Sequence, residues 1–323
     1  MTTSVSDASH TSPDPKALQE CGLKHLYKGK VRDLYAAGDD KLLMVASDRV
    51  SAYDVVMTED IPGKGAVLNG LSSYWFDNTT DIIANHCLST DVTDFPASGA
   101  DDMLRGRAML VRTSVPIRLE CIVRGYLFGH GFQEYEETGS VHGVRYPQGL
   151  ELAQQLPQPI FSPTTKAEEG HDEAISMEDA RSLVNANVYD YIREVSIALY
   201  EFGAKRAYEA GIILADTKFE FGFVEGTDGA MSNGSSVNSV DDIILIDEAM
   251  TPDSSRYWEA KTYRVGISPA SFDKQHLRDW LDSTGWDHVP PPPTLPEEVI
   301  TGIQARYIEA YERVTGLRFS DWG

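Results

Sequence analysis

Apolar and polar positions alternate most regularly in the stretch ILADTKFEFGF, Ile213 to Phe223. Read with a period of two, Ile213, Ala215, Thr217, Phe219, Phe221 and Phe223 share one side. Leu214, Asp216, Lys218, Glu220 and Gly222 share the other. β-branched and aromatic residues in that alternation predict a strand with its apolar face on a core. The opposite face sets an acid, a base and an acid at intervals of about 7 Å. On an arbitrary antiparallel strand such a face belongs to solvent.

The same reading predicts the elements around it. HLYKGKVRDLYAAGDDKLLMVASD gives two strands about a turn at Gly38-Asp39-Asp40, preceded by a tight turn at Gly29. PGKGAVLNGLSSYWFDNTT starts as a Gly-rich loop and becomes helical, with Leu68, Leu71, Trp75 and Phe76 at apolar spacing. AMLVRTSVPIRLECIVRGYLF reads as two strands broken at Pro116. Ala180, Leu183, Val184, Val188, Tyr191, Ile192 and Val195 predict one long helix over 178–210, stopped by Gly211. A Gly/Ser/Asn-rich loop and a second strand, IILIDEAM, complete a long-looped hairpin. Near the end, Ser271 is placed to cap a helix through FDKQHLRDWL, and Pro296 starts a last helix closed by Gly316. Strands dominate the first third, and strands mix with long helices afterwards. The class expected is α+β, in two lobes: a flexible tail over 1–20, a β-rich lobe over 21–115 and a larger lobe over 116–323.

Composition narrows the function. The chain has 323 residues, 41% hydrophobic and 10% aromatic, which is ordinary for a globular protein. No apolar run approaches the roughly 20 residues that span a bilayer. The N-terminal residues lack a basic and an apolar region, so no signal peptide is expected. Cys21, Cys87 and Cys121 are widely separated and predict free thiols in the cytoplasm. With 28 Lys and Arg against 50 Asp and Glu, the net charge is −22. Such a chain is a poor general binder of nucleic acid or anionic membrane. Any phosphate site must carry its own positive charge, so the cationic clusters are informative. They fall at Lys28, Lys30 and Arg32; at Lys64; at Arg118 and Arg124; and at Lys166.

YKGKVRDLY can lay backbone N–H groups and lysines over phosphates. IPGKGAVLN lacks the Ser or Thr and the glycine spacing of a Walker loop. FSPTTKAEEGHDE gathers hydroxyls, Lys166, His171 and acids in a loop too polar for a core. In LIDEAMTPDSSRYW, Asp247 follows an apolar run, and antiparallel pairing in a register left open brings it toward Lys218 and Glu220. Hard carboxylate oxygens on adjacent strands suit Mg²⁺ held together with phosphate oxygens.

These blocks, with SDRVSAYDVVM, LECIVRGYLFG, ADTKFEFG and SFDKQHLRDWL, stand in an order that resembles the SAICAR synthetase family over about residues 24–282. That resemblance implies an enzyme of purine biosynthesis joining L-aspartate to the carboxylate of the aminoimidazole ribonucleotide CAIR, with ATP lying in a cleft between kinase-like or ATP-grasp-like lobes. Carried over by position, Lys28, Gly29, Lys30 and Val31 would form the phosphate-covering loop. The hinge from Val111 to Val115, with Arg112, would receive adenine. Glu220 and Asp247 would hold Mg²⁺, and Lys218 would lie between nucleotide and CAIR. Lys166 would face the transferred phosphoryl. Arg124, His130, Arg256, Asp216 and Lys274 would contact CAIR, His130 standing where the family usually carries Ser. The small-molecule partners implied are CAIR, aspartate and ATP, acting on a monomer. A kinase-like phosphotransferase or a non-catalytic nucleotide-binding module is the alternative; no HRDxxxxN, DFG or GxGxxG motif is present.

Overall fold

The computed structural model describes residues 12–165, 175–224 and 239–322. The chain begins with α1 (Pro15–Glu20), β1 (Lys24–Lys28), β2 (Arg32–Ala36) and β3 (Lys41–Ala46). A small hairpin, β4 (Ser51–Ala52) and β5 (Val55–Val56), leads into α2 (Lys64–Asn78). Next come β6 (Cys87–Ser89), α3 (Asp101–Leu104) and β7 (Ala108–Arg112). β8 (Ser114–Pro116) and β9 (Leu119–Tyr126) precede α4 (His130–Thr138) and the hairpin of β10 (Ser140–Val141) and β11 (Val144–Arg145). β12 (Gln155–Phe161) and β13 (Thr164–Thr165) are followed by α5 (Met177–Val184) and α6 (Ala186–Glu209). The remainder is β14 (Ile212–Val224), β15 (Ile243–Ile246), β16 (Ser255–Glu259), α7 (Gln275–Ser283) and α8 (Glu297–Thr315).

Two compact units result. The first holds 1–74, 87–113 and 273–323, and the second holds 75–86 and 114–272. One crossing between them lies between Thr113 and Ser114. The C-terminal helices, expected in the larger lobe, belong instead to the first unit. Their apolar face explains why: Val299, Ile303, Tyr307, Ala310 and Val314 on α8 are buried. Gln304 donates to Pro62 O at 2.9 Å, and Trp322 donates to Gly106 O at 2.8 Å.

The first unit is built on an antiparallel sheet of order β1-β2-β3-β7-β6. Residues 15–20, expected in a flexible tail, form α1: Asp14 caps it and Leu18 is buried in the core. Lys64 opens α2 fully buried, its ammonium 5.3 Å from the Tyr307 ring centre, so its positive charge belongs to the interior of this unit.

The second unit is organised by β14, which pairs with β9 and β16 along its first half and with β15 and β8 along its second. A strand of 13 residues bordered on both sides is buried on both faces, and Asp216 and Glu220 are 8% and 7% exposed. The solvent reading of its polar face is thereby overturned. The single helix expected over 178–210 is two, because Asn185 takes φ +77° and its side chain caps α6 through Asn187 N. Ser271 does not cap a helix either. It bridges Trp258, and α7 starts at Gln275. Among the described residues no helix is long and apolar enough to cross a membrane.

Gly125 on β9 shows how tightly this sheet is covered. A Cβ there would lie 1.8 Å from Tyr200 Oη, and that hydroxyl donates to Leu214 O at 2.8 Å. Gly125→Ala is therefore expected to destabilise the fold by about 3 kcal/mol, read as a shifted midpoint in urea unfolding.

Candidate active site

Pairing in the second unit sets two charged clusters along β14. β9 alternates strictly, its odd positions buried and its even positions half-buried, so Glu120, Ile122 and Arg124 share a face. β14 meets β9 with Lys218 opposite Ile122 and Asp216 opposite Arg124. On its other side Asp216 stands opposite Arg256 of β16.

The first cluster surrounds Lys218. Its Nζ lies 2.6 Å from Glu220 Oε1 and 3.0 Å from Glu120 Oε1, carboxylates only 9% and 12% exposed. Burial alone would depress the Lys218 pKa, but Glu220, Asp247 and Glu120 outweigh it and hold the ammonium well above the ordinary lysine range. Asp247 directly follows β15, at φ +63°, and Met250 has φ +46°. Left-handed backbone in residues other than glycine is strained and concentrates at functional sites. Three carboxylates against one ammonium leave a surplus of negative charge.

The second cluster is its opposite. Arg124 Nη1 and Arg256 Nη1 both reach Asp216 Oδ2, at 3.1 and 3.0 Å. Arg124 Nε also donates to Ser162 Oγ at 3.0 Å. Burial, partly opposed by Asp216 and reinforced by Arg256, lowers the Arg124 pKa; a guanidinium nevertheless stays charged. Arg256 Nη1 sits at ion-pair distance from Asp216, yet its N–H is not directed at that oxygen, and the buried donor has no hydrogen-bond acceptor. Beside it, α4 begins without a side-chain cap, from Gly129 at φ +57°, where an added Cβ would stand 2.7 Å from Arg256 Nη1. His130 is the exposed first residue of that helix. Two guanidiniums, an open helix N-terminus and an unspent donor suit an anion.

The remaining expected residues lie elsewhere. Lys28, Gly29, Lys30 and Val31 form the β1–β2 turn of the first unit, where Gly29 N donates to Arg32 O at 2.8 Å. Arg112 is exposed on β7 opposite Lys41, and Val115 pairs with Phe223. Lys274, also in the first unit, sits 3.0 Å from the buried carboxylate of Asp273. Lys166 and His171 fall outside the described residues. Glu120 and Ser162 were not anticipated. The alternation of LECIVRGY carried the signal for Glu120, since it places that carboxylate on the face of Arg124. Among the described residues no group of three or more His, Cys, Asp or Glu side chains is arranged to hold a metal ion.

Solved structures share this mixed α+β fold. The SAICAR synthase of Saccharomyces cerevisiae in complex with SAICAR matches with a TM-score of 0.79, 38% identity and 98% coverage of both chains. A SAICAR synthetase in complex with ADP matches with a TM-score of 0.61, 25% identity, 90% coverage of this chain and 98% of that one. The fold is therefore that of an ATP-dependent ligase. Residues 25–293 match the model of the family described as SAICAR synthetase. The phosphoribosylaminoimidazole-succinocarboxamide synthase of Desulfotalea psychrophila is 48% identical over 299 residues, 91% of this chain and 96% of that protein. The chain belongs to the SAICAR synthetase family, whose role is in purine biosynthesis.

Proposed function

We propose that this chain ligates L-aspartate to the carboxylate of CAIR through an acyl phosphate, and that the two clusters of β14 divide the work. The observation that carries this reading is their sharing of one buried strand. A lysine ringed by carboxylates lies two residues from an aspartate flanked by two arginines. Arg124 and Arg256 would grip the phosphate of CAIR, assisted by the α4 N-terminus and by His130, with Asp216 fixing both guanidiniums. Lys218 would stand at the nucleotide phosphates and the CAIR carboxylate. Within the first unit, Lys28, Lys30 and the turn between them would contact phosphate.

Glu220 and Asp247 fit a divalent ion by chemistry: hard oxygen donors beside an excess of negative charge that one ammonium does not cancel. Mg²⁺ held there would neutralise phosphate charge during transfer. A carboxylate is a poor electrophile because attack must expel oxide. Its oxygen attacks the γ-phosphorus, ADP leaves, and the acyl phosphate now carries a good leaving group. The aspartate amine attacks the carbonyl carbon, loses a proton and expels phosphate. The ammonium of Lys218, locked in its charged form, holds the phosphoryl oxygens. The paired arginines keep CAIR from shifting, which is where positioning enters the rate. The free cysteines suit a cytoplasmic location.

Incubation with Mg²⁺-ATP, CAIR and aspartate, leaving out each in turn, tests the reading. ADP release is expected to require CAIR, and sustained turnover to require aspartate as well. ADP release with neither present would point to a phosphotransferase, and none under any condition would reduce the chain to a nucleotide-binding module.

Glu120 enters the same test. Glu120→Gln leaves Lys218 paired to Glu220 but removes one side of its cradle. Turnover is expected to fall about tenfold with ADP affinity held, measured as kcat beside a binding titration.

A further inference from the structure

The β1–β2 turn is gripped from behind. Arg49 Nε donates to Lys30 O at 3.0 Å, and Arg49 Nη2 donates to Gly29 O at 3.0 Å. The same Nη2 lies 3.0 Å from Oδ1 of the buried Asp33, which Nη1 approaches at 3.4 Å. Ser47 completes the grip: its N and Oγ both donate to Val31 O, at 2.8 and 2.7 Å. Three successive carbonyls, those of Gly29, Lys30 and Val31, are thus taken by residues 47–49.

A trans peptide is planar, with its N–H pointing opposite to its C=O. Fixing the carbonyls of Gly29 and Lys30 toward Arg49 therefore turns the N–H groups of Lys30 and Val31 to the other side. Among the described residues neither N–H donates to a protein acceptor. Successive amides exposed on one side of a turn make an anion-binding concavity, and here the exposed ammonium of Lys30 adds charge.

We propose that Arg49 is a positioning residue for ATP, holding the Gly29–Val31 turn so that the amides of Lys30 and Val31 meet the nucleotide phosphates. The inference rests on the reading of Lys28 to Val31 as a phosphate-contacting turn. Asp33 keeps the guanidinium in plane, and only a planar fork spans two carbonyls and a carboxylate together. A lysine at 49 keeps the charge but not that span. Without the fork the two peptide planes are free to rotate, and ATP must order them on binding.

The test uses full-length Arg49→Lys and Arg49→Gln, with KM measured for all three substrates and Mg²⁺-ADP affinity measured by calorimetry. In both variants KM for ATP and Kd for ADP are expected to rise about tenfold or more, while KM for CAIR and aspartate moves by less than about twofold. Unchanged ADP affinity in folded Arg49→Lys would overturn the inference. An equal rise in all three KM values, or failure of both variants to fold, would make Arg49 structural and overturn it too. Lys30→Ala separates this from the underlying reading. If ADP affinity is unchanged in Lys30→Ala and in both Arg49 variants alike, neither the side chain nor the amides of the turn contact phosphate and that reading fails. If Lys30→Ala weakens ADP while the Arg49 variants do not, only the inference fails.

Discussion

Glu220→Gln and Asp247→Asn are each expected to turn over at most about one hundredth as fast as the unaltered chain, because removing groups that merely support a metal ligand already costs 10- to 100-fold. The opposing view treats Glu220 as a structural partner of Lys218. Breaking a buried ion pair destabilises by about 3–5 kcal/mol when the remaining charge is left uncompensated. Here it is not, since Lys218 keeps Glu120 at 3.0 Å and the field of Asp247. Removal of one anion also relieves repulsion among the carboxylates. Each variant should thus melt within a few degrees of the parent, and more Mg²⁺ should be needed for half-maximal rate. Steady-state kcat across a magnesium titration, beside a thermal melt, reads both. Near-normal turnover in either variant would remove that residue from the metal site.

Arg124 carries the second large effect. Its side chain is 14% exposed and bridges Asp216 and Ser162. Truncating one member of a buried, hydrogen-bonded charge pair costs about 2–5 kcal/mol. Arg124→Ala should accordingly raise KM for CAIR by about a hundredfold or more, with KM for ATP little changed. Arg124→Lys keeps the charge and loses the second donor, so a loss of about tenfold is expected. Arg256, 42% exposed at its side chain, is more screened by solvent, and Arg256→Met should weaken CAIR less than Arg124→Ala. Equal losses for ATP and CAIR would show that Arg124 supports the sheet and not the substrate.

Much of this was legible in the sequence because it is local. Strict alternation identified β14, and the charged residues on its even positions were identified with it. The turn glycines and the Gly316 end of α8 obey rules that span a few residues. What escaped depends on partners far along the chain. The burial of β14's polar face follows from its four neighbouring strands, the first of which, β8, lies nearly a hundred residues earlier. The Lys218–Glu120 contact spans 98 residues. The allotment of α7 and α8 to the first unit is set by where an apolar face finds its complement, which helical periodicity does not encode. The break at Asn185 was a local event that apolar spacing overrode, as Asn tolerates a left-handed backbone without announcing it.

Mounting both clusters on one extended ribbon has an evolutionary corollary. From Asp216 to Glu220 there are four residue steps, about 14 Å along a strand, a length set by bond geometry and pinned by neighbours on either flank. Drift in surrounding loops leaves that yardstick unaltered. Descendants acquiring a longer or shorter acceptor would have to change the side chains that reach in from β9, β16 and the start of α4, not the gauge itself.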